Sequence, residues 1–336
     1  MLAADGSVED LWLVGDIGGT NARFALYDGR DVEAGAGRLL ARETLASSEF
    51  ALFADAVHHF LKRAGVEAPS LKGASLAVAS PVGGDEIRFT NSPWHFSSDS
   101  LRETLQLKHL TLVNDFEALA LSVPRMAHVN LWNIREGQMT EQSPKLVLGP
   151  GTGLGVAGLV PVMSSGGVSW RAVPGEGGHV AFAPLDDFEA DLLRHLRTRH
   201  ARVSVERIVC GDGLVALYKF LVSQSGGSDS SAPTAAVIAK QALEGDTVSR
   251  EAVTRFLAVL GSFAGDCALL FAARGGVYFG GGVLPKIWPM VADSPLIERF
   301  NAKGRMSPWI SQIPLRLIVD DAAALRGAAI AAHPLM

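Results

Sequence analysis

G-D-I-G-G-T-N-A-R, Gly15 to Arg23, lies between two apolar runs, Leu11 to Val14 and Phe24 to Tyr27. Apolar runs around a Gly-Gly pair read as a β-hairpin with a tight turn. Gly18 and Gly19 carry no side chain and can take positive φ, so backbone N–H groups can close on an anion. Thr20 and Asn21 add side-chain donors, and Asp16 sets a carboxylate at the mouth of the turn. That is equipment for a polyphosphate with a metal ion beside it. An ordinary hairpin whose Asp and Asn serve turn chemistry remains the plain alternative.

A second stretch of the same kind follows far downstream. Lys145 to Val160 reads K-L-V-L-G-P-G-T-G-L-G-V-A-G-L-V, again an apolar run, a Gly/Thr turn and an apolar run. Val147-Leu148-Gly149 lines up with Leu13-Val14-Gly15, and Gly151-Thr152-Gly153 falls where Ile17 to Thr20 fall. Two related hairpins predict two similar α/β halves, each presenting a phosphate loop to a cleft between them.

At 336 residues the chain has the length of about two domains, with ample material for a core. Hydrophobic residues at 48% and charged residues at 19% match a globular enzyme and exclude a disordered or fibrous chain. A net charge of −5 supplies no field for nucleic acid or an anionic membrane, so neither is expected as a partner. Cys210 and Cys267 form neither a close pair nor a metal-ligand cluster, and the polar, acidic Met1 to Asp10 is no secretory signal. A reducing cytoplasm is the expected compartment. Phe256 to Ala273 is the longest apolar segment, but Asp266 and the glycines 261 and 265 interrupt it, which predicts a buried core helix.

Strand-like runs recur at Ser75 to Ala79, Leu110 to Val113, Gly276 to Phe279 and Arg316 to Val319. Helical spacing marks Phe50 to Ala64, closed by Gly65, then Asp186 to His200 and Ala322 to Ala332. His58 and His59 are expected at the rim of the first helix, and the Arg/His run of the second on a solvated face. Ser204 is expected to cap a helix through Val209, with Gly211 closing it. Ser223 to Thr234 reads as a polar surface loop.

Gly153-Leu-Gly155-Val-Ala-Gly158 formally matches the dinucleotide fingerprint, but no helix opens from it, and the nicotinamide reading is weak. Asn114-Asp115 follows the apolar run from Leu110 and so ends a strand, where α/β folds place working residues. The pair reads either as a helix N-cap or as a site whose carboxylate accepts a hydroxyl proton during phosphoryl transfer. P-G-E-G-G-H, Pro174 to His179, packs three glycines around one carboxylate and one imidazole, and Glu176 and His179 suit a polyol. Glu206 reads equally as a helix-dipole complement or a ligand contact. Gly280-Gly281-Gly282 either admits a flat ring or reverses the chain.

Taken in order, G-D-I-G-G-T-N-A-R, N-D-F-E-A, G-P-G-T-G-L-G, P-G-E-G-G-H, S-V-E-R and G-G-G-V resemble bacterial ATP-dependent glucokinase. T-N-S-P-W-H-F, from Thr90 to Phe96, resembles that family's T-N-x-x-W segment, and the likeness runs from about Leu11 to about Ala332. The resemblance implies an actin-like (ribonuclease H-like), two-domain hexokinase-type α/β fold: mixed sheets flanked by helices, with a cleft between lobes. The small lobe is expected over 1–125 plus 320–336 and the large one over 126–319.

On the same resemblance, ATP is gripped by Gly15, Asp16, Ile17, Gly18, Gly19 and Thr20 together with Gly151, Thr152 and Gly153. Gly280, Gly281 and Gly282 flank the adenosine, and Asp16 lies near Mg2+. Asn114, Asp115, Glu176, His179 and Glu206 contact glucose, with Asp115 the base for the 6-hydroxyl, and a homodimer is the expected assembly. One departure stands out: where the family usually carries a small hydroxyl residue before the glycine that follows the Glu206 segment, this chain has Cys210.

Alternatives include a relative acting on another hexose such as mannose, or using polyphosphate. Two distant cysteines exclude the Cys-rich cluster of zinc-containing sugar kinases. A sugar-sensing regulator of this fold needs a helix-turn-helix ahead of the first strand. An actin-type chaperone or filament ATPase shares the hairpins but has no use for P-G-E-G-G-H.

Overall fold

The computed structural model describes residues 10–29, 38–80, 82–89, 94–165, 167–226 and 233–332. The Met1 to Asp10 extension up to residue 9, residues 90–93 of the T-N-x-x-W segment and residues 227–232 of the Ser223 to Thr234 loop lie outside them. The chain divides into two compact units. One comprises Met1–Ala127, Ser169–Ala172 and Asp320–Met336, the other His128–Val168 and Val173–Val319.

The strands run β1 (Leu11–Ile17), β2 (Asn21–Asp28), β3 (Arg38–Ala46), β4 (Gly73–Val78), β5 (Glu86–Arg88), β6 (His95–Ser97), β7 (Leu110–Asn114), β8 (Leu131–Arg135), β9 (Lys145–Pro150), β10 (Leu154–Ser164), β11 (Gly167–Gly175), β12 (Val277–Phe279) and β13 (Leu315–Ile318). The helices are α1 (Phe53–Ala64), α2 (Ser98–Thr104), α3 (Asp115–Ser122), α4 (Asp187–Arg197), α5 (Gly211–Gln224), α6 (Ala235–Glu244), α7 (Thr247–Leu270), α8 (Trp288–Val291), α9 (Leu296–Asn301), α10 (Ser307–Ile310) and α11 (Ala323–Ala331).

The first unit is built on a five-stranded sheet ordered β3-β2-β1-β4-β7. Antiparallel pairing of β1 with β2 gives way to parallel pairing of β1 with β4 and of β4 with β7. Buried β1 and β4 read as near-continuous apolar runs because both faces are covered. On one face Phe24 stacks on Phe60 of α1 at 5.7 Å between ring centres and meets Phe53 at 5.9 Å. On the other, Val14, Ala25, Ala77 and Val113 pack against Ala118 of α3 and Leu325, Ala328 and Ala329 of α11.

The second unit repeats the scheme, with a six-stranded sheet ordered β11-β10-β9-β12-β13-β8. β9 pairs antiparallel with β10 and parallel with β12, which pairs parallel with β13. The two aligned glycines play equivalent parts. A β-carbon on Gly15 would stand 2.8 Å from Leu76 of the parallel neighbour β4, and one on Gly149 would stand 2.0 Å from the Gly280 carbonyl oxygen just past β12. A side chain at either position would push the hairpin off its parallel partner.

α7 is the predicted core helix. It is long and apolar enough by length and composition to cross a membrane, yet 67% of its most apolar window is buried in the unit, and Asp266 pairs with Lys303 at 2.8 Å. α1 begins at Phe53 rather than Phe50 and ends at Gly65, whose φ of 71° is the left-handed helix stop its sequence called for. α4 is capped by Asp186, whose carboxylate accepts the Glu189 N–H at 2.8 Å. Glu189 itself is 1% exposed and is neutralised by Arg299, which also donates through Nε to Ser262 Oγ at 3.0 Å. The segment around Ser204 corrects an expectation. Val205–Arg207 forms only a 3-10 turn, with no cap from the Ser204 side chain, and Gly211 opens α5 instead of closing a helix.

Candidate active site

In the first unit, three parallel strands bring two predicted motifs to one end of the sheet. Ile17 pairs with Val78, and Val78 pairs with Asn114, so the three residues form one row. The turn Gly18-Gly19-Thr20 and the pair Asn114-Asp115 therefore leave the sheet at the carboxyl ends of β1 and β7, two strand spacings or about 10 Å apart. That edge is where α/β sheets bind ligands.

The turn is held from inside and behind. Gly18 N–H donates to the Asn21 carbonyl at 2.9 Å, and Ser47 N–H donates to the Thr20 carbonyl at 2.9 Å. Gly18 does not use the positive φ open to it, because the Asn21 bond closes the turn without it. A β-carbon on Gly18 would lie 3.4 Å from the Asn21 carbonyl oxygen, an ordinary van der Waals contact, so packing alone does not require glycine there. Gly15 and Ile17 are buried and can offer only backbone, whereas Thr20 is exposed. Asp16 faces Arg23 across the hairpin, and Arg23 Nη1 donates to Asp16 Oδ2 at 2.7 Å.

Asn114 is the N-cap of α3, its Oδ1 accepting from Phe116 N–H at 2.9 Å and Glu117 N–H at 3.4 Å. The capping reading of that residue is correct, and it decides which end of the amide serves the helix. The Nδ2 donors remain for a ligand. Asp115, the first residue of α3, accepts from Phe116 N–H through Oδ1 at 2.9 Å. Its carboxylate is thus oriented by the helix start and half-buried. Burial pushes the neighbouring Glu117 carboxyl up, against a smaller downward pull from the Asn114 N–H.

In the second unit the turn Gly151-Thr152-Gly153 closes on itself through Gly151 N–H and the Gly153 carbonyl at 2.8 Å. P-G-E-G-G-H runs off β11 into a 3-10 turn over Gly177–His179. Two of its three glycines are dictated by contact with β10: a β-carbon on Gly178 would stand 2.2 Å from the Leu154 carbonyl, and one on Gly177 2.8 Å from Val156 Cγ2. This lets the loop lie flat on the strand and show Glu176 and His179 to solvent, at 61% and 59% side-chain exposure. His179 stands between two carboxylates, 3.9 Å from Glu176 and 3.9 Å from Glu206.

Sequence reasoning left two contacts here unfound. Glu206 Oε2 accepts the Leu154 N–H at 2.8 Å, and Cys210 Sγ accepts the Gly213 N–H at 3.3 Å as the N-cap of α5. C-G-D-G ahead of an apolar run was the available signal for the cap. Gly280 is buried beside Gly149, while Gly281, at φ 80°, and Gly282 are exposed past the end of β12. The fingerprint-like Gly153 to Gly158 runs into β10, so it opens a strand and no helix.

Asp16 is a single carboxylate with one oxygen already held by Arg23, and no group of three His, Cys, Asp or Glu residues suited to a metal occurs among the described residues. Mg2+ is commonly held by one or two carboxylates, water and the phosphates of a nucleotide, and one carboxylate fits that arrangement.

Over residues 13–335 the chain matches the glucokinase family model. A glucokinase from Chromohalobacter salexigens is 41% identical over 321 residues, covering 96% of this chain and 97% of that protein. Among solved structures, the glucokinase of an Antarctic psychrotroph superposes with a TM-score of 0.82 at 36% identity, covering 97% of this chain and 99% of the other. A ROK-family glucokinase from Streptomyces griseus, solved with glucose and AMPPNP, shares the fold with a TM-score of 0.63 at 19% identity, covering 95% and 98% of the two chains.

Proposed function

The chain belongs to the glucokinase family, with its actin-like α/β fold, and on that premise we propose how its residues divide the work of phosphorylating D-glucose at the 6-hydroxyl with ATP. The observation that carries the reading is the row Ile17, Val78, Asn114, which supports a phosphate turn and a carboxylate acting at one sheet edge.

Asp115 accepts the proton of the glucose 6-hydroxyl as its oxygen bonds to the γ-phosphorus and ADP leaves. Asn114 Nδ2 donates to a sugar hydroxyl, and Glu176, His179 and Glu206 hold others. The two turns, Gly15 to Thr20 and Gly151 to Gly153, receive the phosphates through N–H groups other than those of Gly18 and Gly151, which are spent within the turns. Gly280 to Gly282 leave room for the adenosine. Asp16, oriented by Arg23, is the carboxylate that would hold Mg2+. Bound with ATP, that ion neutralises charge on the phosphates. A cytoplasmic homodimer whose small lobe is 1–125 plus 320–336 belongs to the same proposal.

Coupled measurement of ADP release tests the reading with ATP as donor, run over glucose, mannose, fructose and galactose, and direct measurement of the sugar phosphate formed tests polyphosphate as donor. Turnover is expected to be fastest with glucose and ATP. Preference for another hexose or for polyphosphate would overturn the substrate assignment.

A further inference from the structure

Glu206 enters the functional reading only as a sugar contact, yet its carboxylate has a second partner. Oε2 accepts the backbone N–H of Leu154, the residue that follows the Gly151-Thr152-Gly153 turn, at 2.8 Å. Gly153 makes that approach possible, because a β-carbon there would stand 2.6 Å from Oε2. Oε1 lies 3.9 Å from His179 Nδ1. The carbonyl of Leu154, in the next peptide group, is covered by Gly178 of the sugar loop.

The other end of the turn is tied to the same segment. Gly211 N–H donates to the Gly151 carbonyl at 3.0 Å. The stretch from Glu206 to Gly211 thus holds both ends of the turn. Glu206 keeps 27% side-chain exposure, so one carboxylate fixes the turn and still reaches a ligand.

We propose that Glu206 is a positioning residue for the nucleotide: by holding the Leu154 N–H it shapes the Gly151–Gly153 turn, and by standing beside His179 it ties that turn to the sugar loop. This rests on the reading of the turn as a phosphate site. A carboxylate that serves sugar alone has no influence on nucleotide affinity when no sugar is present. One that shapes the turn does.

The test is calorimetric binding of AMPPNP without sugar, beside glucose binding, for wild type, Glu206→Ala, Glu206→Asp, Glu206→Gln and Glu176→Ala. Asp keeps the charge but is one methylene too short to reach Leu154. Gln loses the charge but keeps an acceptor at full reach. The AMPPNP Kd is expected to rise at least about 5-fold in Glu206→Ala and Glu206→Asp, within the usual range of coupling between sites. In Glu206→Gln it is expected to stay within about 2-fold of wild type. Glu176→Ala is expected to lose glucose affinity and keep AMPPNP. Should Glu206→Ala fail to fold, Asp against Gln decides the matter alone.

AMPPNP affinity unchanged in Glu206→Asp, or reduced as much in Gln as in Asp, would overturn the proposal and leave the glucokinase reading intact. A wild-type protein that binds no AMPPNP would overturn both.

Discussion

Gly327 of α11 lies so close to Ala118 of α3 that a β-carbon on it would stand 1.6 Å from the Ala118 carbonyl oxygen. Backbone meets side-chain-free backbone here, and α3 begins at Asp115. Gly327→Ala must drive the two helices apart, an overpacking that costs on the order of 1–3 kcal/mol. A lower Tm is expected, together with a reduced kcat, because the helix that presents Asp115 is displaced. Thermal unfolding and steady-state kinetics of the one variant check both. An unchanged kcat in a destabilised protein would separate the helix contact from catalysis.

Asp115→Asn preserves size and the capped start of α3, since Asn114 supplies the stronger cap through two backbone N–H groups. Glucose affinity is expected to survive while kcat falls about 10²-fold or more, the scale of general-base catalysis. Calorimetry with glucose and a coupled kinetic assay decide it. Turnover near the wild-type rate would remove Asp115 from the base role.

Much of this architecture was legible in the sequence for identifiable reasons. The hairpins announce themselves because Gly-rich turns between buried apolar runs have few other uses, and the strand end at Asn114 follows from where its run stops, whereas β1 continues three residues past the run Leu11 to Val14, to Ile17. The Gly65 stop depends only on neighbours in the chain. What local pattern did not show is long-range. The Glu206–Leu154 bond spans 52 positions, and the Gly327–Ala118 contact joins the C-terminal helix to the middle of the first unit. The Cys210–Gly211 junction went wrong because glycine is at home at either end of a helix, and a thiol is a weak advertisement for a cap.

Gly281 holds φ at 80°, and a β-carbon on it would lie 2.3 Å from the Pro150 carbonyl, at the edge of the second turn. Gly281→Ala therefore meets backbone strain and a clash at once, and neither is relieved by rotating a side chain. ATP KM is expected to rise well above its wild-type value while glucose KM changes little. Equal rises in both would mark general damage to the unit.

Cys210 does the work of a serine with a poorer group. Its buried thiol, pushed up by burial, accepts the Gly213 N–H at 3.3 Å. Cys210→Ser supplies a stronger cap of nearly the same size and is expected to raise Tm. Cys210→Ala is expected to cost about 0.5–2 kcal/mol. Chemical denaturation of the pair checks the order Ser, Cys, Ala. An alanine variant as stable as the cysteine protein would show that the thiol does not cap.

Cys267 makes stability depend on pH at the alkaline end. It is 4% exposed in α7, and burial pushes its thiol up to about 12 from an ordinary value near 9, with Asp266 adding to the rise. The folded state therefore keeps the proton to higher pH than the unfolded chain does. Above pH 9 the unfolded state ionises and the folded state does not, so stability falls as pH rises from 9 towards 12. Below pH 9 the contribution is complete and flat. Tyr27 and Tyr278, both raised by burial, steepen the same limb from about pH 10 upward. Cys267→Ala removes the first of these ionisations, at a cost in packing that does not depend on pH. Urea unfolding of wild type and Cys267→Ala between pH 8 and pH 11 is expected to show a stability gap that narrows as pH rises. A constant gap across that range would mean that the thiol ionises alike in the folded and unfolded states, and the linkage would be wrong.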